Sequence, residues 1–86
     1  MGFELETLEA AHRHSIDHRD ELERSAICGC FYCCRTCSVT EVEDWIDEGG
    51  TALCPHCGID SVIGSASGYP VDQPAFLRAM HARWFS

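Results

Sequence analysis

Two short runs, Cys30-Phe31-Tyr32-Cys33 and Cys54-Pro55-His56-Cys57, decide how this chain is read. Each is a Cys-x-x-Cys loop, the turn that wraps one side of a tetrahedral metal ion, and 20 residues separate the two. Zinc favours four thiolates in a tetrahedron, with Zn–S near ~2.3 Å. Two cysteines three apart reach one ion when the chain between them turns tightly. Pro55 suits such a turn, and Gly58, just after Cys57, lets backbone N–H groups approach the sulfurs. The spacing predicts one ion, Zn2+, held by Cys30, Cys33, Cys54 and Cys57. A closed four-sulfur shell leaves no position for water, so the expected ion is structural. No catalytic residue and no organic cofactor is assigned.

Seven cysteines leave three others. Cys34-Arg35-Thr36-Cys37 is a further Cys-x-x-Cys and remains an alternative first loop. Cys30 and Cys33 are preferred because apolar Ala26 and Ile27 lead in as a strand and Phe31-Tyr32 can pack over the site. Cys28 fits a buried small hydrophobe, the usual fate of a free cysteine. Iron is the alternative metal. Rubredoxins also use two such loops, the second written Cys-Pro-x-Cys-Gly, and thiolate sites accept either metal. Here Cys34 stands where a rubredoxin places glycine after its first loop.

The chain is short, 86 residues, and is expected to form a single zinc-ribbon-like domain over residues 1–86. A domain of this size buries only roughly 60–65% of the surface its unfolded chain exposes, so a metal is a natural reinforcement. Residues 1–25 are charged and carry no apolar run, so no signal peptide is expected. No stretch approaches a membrane span. A cytoplasmic chain is expected, where thiols stay reduced. Fourteen carboxylates oppose six arginines, lysine is absent, and the net charge is −8. Non-specific nucleic-acid binding needs basic side chains to neutralise phosphates, and this composition argues against it. The partner expected instead is a protein.

The fold expected is a small α+β metal-bound domain, with zinc-ribbon or rubredoxin-like knuckles, a short β-hairpin, and flanking N- and C-terminal helices. Phe3, Leu5, Leu8 and His12 share one face of an N-terminal helical segment over 1–25, which Ser15 and Asp17 can divide. The ribbon is expected over 26–64. Thr40-Glu-Val-Glu43 has capping-box form and predicts an inserted helix over 40–48, ended by Gly49-Gly50. Thr51-Ala-Leu53 and Ser61-Val-Ile63 are expected to pair as a hairpin around the second loop. Gly64 to Pro70 reads as an ordered loop. A last helix over 71–86, capped by Asp72, carries the stripe Phe76, Leu77, Met80 and Trp84, which reads as core. His14 and His18 share a helical turn, but without the glutamate of His-Glu-x-x-His they read as structural histidines. His81 beside the last stripe reads the same way.

The run Cys-Gly-Cys-Phe-Tyr-Cys at 28–33, followed by Ala-Leu-Cys-Pro-His-Cys-Gly-Ile-Asp-Ser-Val-Ile-Gly-Ser-Ala-Ser-Gly-Tyr-Pro at 52–70, resembles a family of short uncharacterised bacterial proteins, generally labelled only as cytoplasmic proteins. The resemblance extends forward to Met80-His81 and Trp84-Phe85, and backward to His14, Arg19 and Ser25. It implies a zinc-ribbon core with flanking helices. In that pattern the positions of Cys34 and Cys37 look apolar, which supports the quartet Cys30, Cys33, Cys54 and Cys57, and Cys28 looks like part of the pattern. The resemblance implies no activity.

The function expected is a zinc-stabilised binding or interaction module, with Ile59 to Pro70 as its contact surface. Three alternatives stand beside it. A small enzyme would gather His14, Arg19, Asp60, Ser61, Ser65, Tyr69 and His81 in one cleft. An iron electron carrier would be red. A sequence-specific nucleic-acid binder would bring the six arginines to one face.

Overall fold

The computed structural model describes residues 3–85; Met1, Gly2 and Ser86, which belong to the expected terminal helical segments, lie outside the described residues. Helix α1 spans Leu5–His12 and runs into a 3₁₀ turn at Arg13–Ser15. Helix α2 follows at Arg19–Glu23. The expected division falls between them: Ile16 is extended and Asp17 is left-handed, with φ 51°. This break grips a distant hairpin. The Asp17 N–H donates to the Thr51 hydroxyl at 2.8 Å, and the His18 N–H donates to the Gly50 carbonyl at 2.8 Å.

Among the described residues five short strands follow: β1 Ile27–Cys30, β2 Thr36–Ser38, β3 Trp45–Ile46, β4 Thr51–Ala52 and β5 Val62–Gly64. They make two antiparallel sheets, β2-β1-β5 and β3-β4. In the larger sheet Cys28 faces Cys37 on one side and Gly64 on the other. A side chain on Gly64 would strike the Ser25 hydroxyl and Leu22, so glycine permits α2 to lie against β5. The last helix, α3, spans Pro74–Phe85. It starts with Pro74 in the first helical position, where a missing N–H costs nothing. The Gln73 carbonyl, not Asp72, takes the cap position and accepts from the Phe76 and Leu77 N–H groups.

Beyond the Asp72 cap, two further expectations are corrected. The helix over 40–48 does not form. Two overlapping capping boxes compete here, and Ser38 with Glu41 prevails over Thr40 with Glu43: the Ser38 side chain accepts from the Thr40 N–H, and Glu41 accepts from the Ser38 N–H. The result is one 3₁₀ turn, Val39–Glu41, after which Val42 is extended. Trp45 and Ile46 then pair with Ala52 and Thr51. Asp47, Glu48 and Gly49 all have positive φ and make the hairpin turn that Gly49-Gly50 was expected to supply as a helix stop. The expected pairing of 51–53 with 61–63 is also absent. β4 pairs with β3, and β5 pairs with β1. Strand β1 sits at the centre of its sheet and offers β5 a full partner, whereas β4 is only two residues long.

The larger sheet separates two apolar clusters, as strand alternation requires. On one face Ile63 joins Leu8, Ala11, Phe31, Val71, Phe76, Leu77 and Met80, with Trp84 packed at the margin. The α3 stripe is therefore core. Each fully buried Leu, Ile, Phe or Met contributes about 1.5–3 kcal/mol. On the other face Val62 joins Leu22, Ala52, Cys28, Cys30, Cys37 and Cys54, with Trp45 at its margin. This second cluster is small and sulfur-rich.

Candidate metal centre

The two Cys-x-x-Cys loops leave the ends of β1 and β4 with the same backbone plan. In the first, the Cys30 N–H donates to the Arg35 carbonyl at 2.9 Å; in the second, the Cys54 N–H donates to the Ile59 carbonyl at 3.0 Å. The Tyr32 N–H points at the Cys30 sulfur at 3.4 Å, and the His56 N–H at the Cys54 sulfur at 3.3 Å. The Arg35 N–H on Cys33 and the Ile59 N–H on Cys57 complete the set. Each sulfur thus meets a backbone donor, which favours the thiolate over the thiol. The Ser61 hydroxyl adds a further contact, 3.1 Å from the Cys30 sulfur.

The four sulfurs lie within 4.8 Å of one another, an arrangement that could hold a metal ion. Cys30 and Cys57 Sγ are 3.6 Å apart, and Cys33 and Cys54 Sγ are 3.8 Å apart. A tetrahedron with metal–sulfur bonds near ~2.3 Å has edges of about 3.8 Å. The chain therefore fits a tetrahedral four-thiolate ion. Cys30 and Cys54 are buried, while Cys33 and Cys57 sit nearer the surface. The neighbouring thiols raise the pKa of some members of the quartet and lower that of another. Burial pushes Cys57 up to about 11, with the Cys30 and Cys54 thiols adding to it and the Ile59 N–H pulling against it. Burial also raises Cys33, with Cys30 and Cys54 reinforcing it. At Cys54 burial acts upward too, but the His56 and Cys57 N–H groups and the neighbouring thiols prevail, and its pKa falls below the ordinary thiol value. A metal binding all four sulfurs would displace the protons that the thiols carry.

The remaining cysteines stand outside the quartet, with Cys28 and Cys37 in the same apolar cluster as Cys30 and Cys54. Cys34-Cys37 is not a metal loop: Cys37 is buried with its sulfur 2.9 Å from that of Cys28, and Cys34 occupies a left-handed turn position with φ 61°. His14, His18 and His81 are engaged elsewhere. The Ala52 N–H donates to His18 Nε2 at 3.0 Å, so His18 carries its proton on Nδ1 and donates it to the His14 carbonyl at 2.6 Å. Both ring nitrogens are used, and burial lowers the pKa of His18. His14 Nδ1 meets Glu21 at 2.9 Å, and His81 Nδ1 meets the Phe31 carbonyl at 3.2 Å.

Of the residues an enzyme cleft would gather, His14 and Arg19 line one depression and Tyr69 packs against the His14 ring, while the serines are placed elsewhere. Ser61 sits on Cys30, Ser65 accepts the Ala26 N–H, and Tyr69 stacks on Phe76. Within the Ile59–Pro70 segment Ser61 to Gly64 are buried, Asp60 is exposed, and Ser65, Ser67 and Tyr69 are half-buried. A shallow depression of about 390 Å³ lies instead along the α1–α2 break, lined by His14, Arg13, Arg19 and Arg24. Asp17, Asp20 and Glu21 share that lining. Half of the arginines gather there, matched by as many carboxylates, and no basic face results.

Sequence reasoning passed over two features. One is Ser61 as a sulfur partner. The other is the Cys28–Cys37 contact. Both were legible as offsets: Cys37 and Ser61 each lie seven residues after the first cysteine of their loop, and Cys28 lies two before it. No helix among the described residues is long and apolar enough to cross a membrane. Comparison with known protein families, curated proteins and solved structures finds no match for the chain.

Proposed function

We propose that Cys30, Cys33, Cys54 and Cys57 hold one Zn2+ as a structural ion, and that the chain is a cytoplasmic zinc-ribbon-like module acting by binding another protein. The observation that carries this reading is the sulfur quartet, with edges of 3.6 and 3.8 Å around a tetrahedral centre. Four sulfurs close the coordination shell, so the ion offers no site to water or substrate and its contribution is to folding. The second apolar cluster supports this. It is built around Cys30, Cys54 and few large side chains, so the ion replaces core that the chain lacks. The acidic composition and the balanced charges of the α1–α2 depression favour a protein partner over nucleic acid.

Elemental analysis of the purified chain tests the reading. One zinc per chain, with loss of folded structure on chelation, is expected. One iron per chain and a red oxidised form would replace the binding module with an electron carrier. A chain that stays folded with no metal would overturn the structural role altogether.

A further inference from the structure

Cys28 and Cys37 face each other across β1 and β2. The Cys30 N–H bonds the Arg35 carbonyl, so Cys30 and Arg35 form a hydrogen-bonded cross-strand pair. Antiparallel pairs alternate, and two residues outward along each strand the pair Cys28–Cys37 is again hydrogen-bonded. Such pairs place their Cα atoms about 5.5 Å apart. That lies inside the range a disulfide spans. The two sulfurs are 2.9 Å apart, well inside the van der Waals separation of two sulfur atoms. Core filling alone does not account for two thiols here. At the matching positions of the second half, 24 residues on, stand Ala52 and Ser61, so other small buried residues serve equally well.

We propose that Cys28 and Cys37 are a redox site that closes reversibly to an intrachain disulfide, with a low-molecular-weight disulfide such as oxidised glutathione as its oxidant. Strand β2 is three residues long and lies at the sheet edge. Edge segments of this kind open locally more readily than the core does. Cys37 is 7% exposed and Cys28 is fully buried, so fraying of β2 presents Cys37 first. The Cys37 sulfur, giving up its proton, attacks one sulfur of the small disulfide and expels the other half as a thiolate. The Cys28 sulfur then gives up its proton, attacks Cys37 in the mixed disulfide and expels the second thiolate. The two released protons convert both thiolates to thiols. The chain loses two electrons and two protons, and the small disulfide gains them. The site does not depend on which metal the quartet holds. Of seven cysteines, four belong to the quartet and two to this pair, and Cys34 is the one left single.

The test uses the full, metal-loaded chain carrying Cys34→Ser, so that no isolated thiol competes. It is incubated in glutathione buffers of rising oxidised fraction, quenched by alkylation and read by intact mass and peptide mapping, with metal content measured in parallel. The expected result is loss of two hydrogens, a bond mapped to Cys28 and Cys37, its reversal by reduced glutathione, and unchanged metal content. Adding Cys28→Ser should abolish the two-hydrogen loss and leave a glutathione adduct on Cys37. Full alkylation of both thiols at every ratio would overturn the proposal, as would a first disulfide that includes a quartet cysteine. A chain that binds no metal but still forms the 28–37 bond would defeat the zinc reading and leave the redox site standing.

Discussion

The chain leaves Cys33 through Cys34 at φ 61°, and it leaves Cys57 through Gly58 at φ 79°. Both loops need a left-handed residue at the same place, and only the second supplies the residue that adopts it freely. Their surroundings differ too. The arms of the first loop pair with each other as β1 and β2, whereas the arms of the second part company, β4 to β3 and β5 to β1. The first loop is a local ribbon. The second is held by distant partners: β3, β1, and His18 from the α1–α2 break. One backbone motif thus serves two purposes. It closes a hairpin in one place and pins a tertiary crossing in the other, and four sulfurs between them join the two halves.

If that division is right, removing a ligand from either loop should be equally damaging. Cys30→Ser and Cys54→Ser should each lose the metal and unfold, because four-ligand zinc sites supply apparent energies of about 10–16 kcal/mol. Metal content and near-ultraviolet circular dichroism would show it, and a variant keeping full stoichiometry would break the ligand assignment. A smaller asymmetry is expected one step out. Ser61→Ala removes the hydroxyl from the Cys30 sulfur. Losing such an outer contact should weaken metal binding about 10–100-fold in chelator competition. At the matching position, Cys37→Ser should leave affinity unchanged.

The pin from the α1–α2 break has a pH signature. Burial holds the His18 pKa below its ordinary value of 6.5, so the unfolded chain takes up a proton more readily than the folded one. Its contribution is therefore complete above about pH 6.5 and is lost as pH falls towards the folded pKa. Denaturant midpoints at pH 7.5 and 5 should diverge, and His18→Gln should reduce that divergence. His18→Ala should also strip the Ala52 N–H of its acceptor, costing about 1–3 kcal/mol at neutral pH. The finest test exchanges the turn residues. Gly58→Ala meets no steric obstacle but adopts a strained φ, and should cost about 1 kcal/mol. Cys34→Gly should return a similar amount, and equal effects in both loops would show that their backbones make the same demand.

Much of this arrangement was legible from residues alone. The Cys-x-x-Cys spacing, the approach through Ile27 and the period of Phe76, Leu77, Met80 and Trp84 each follow from local geometry. The region between the loops was not, because two capping boxes overlap at Ser38 to Glu43 and local sequence does not rank them. A clue was present even so. Asp47 and Glu48 carry the wrong sign for a helix C-terminus, and they stand instead in a hairpin turn. The partner of β5 was hidden for another reason: pairing with β1 closes over 30 residues of chain, and nothing in Val62 to Gly64 encodes that choice.

Each tryptophan belongs to a different core. Trp84 borders the helix-covered cluster, its buried indole N–H without a hydrogen-bond partner among the described residues and its ring 4.0 Å from that of His12. Trp45 borders the sulfur-rich cluster, under the Arg19 guanidinium at 4.4 Å. The molecule therefore carries two built-in optical reporters. Trp84→Phe leaves an emission that follows the sulfur-rich half, and Trp45→Phe leaves one that follows the helices. Whether the two signals melt together or in turn will show how far the four-sulfur cluster governs the fold beyond its own reach.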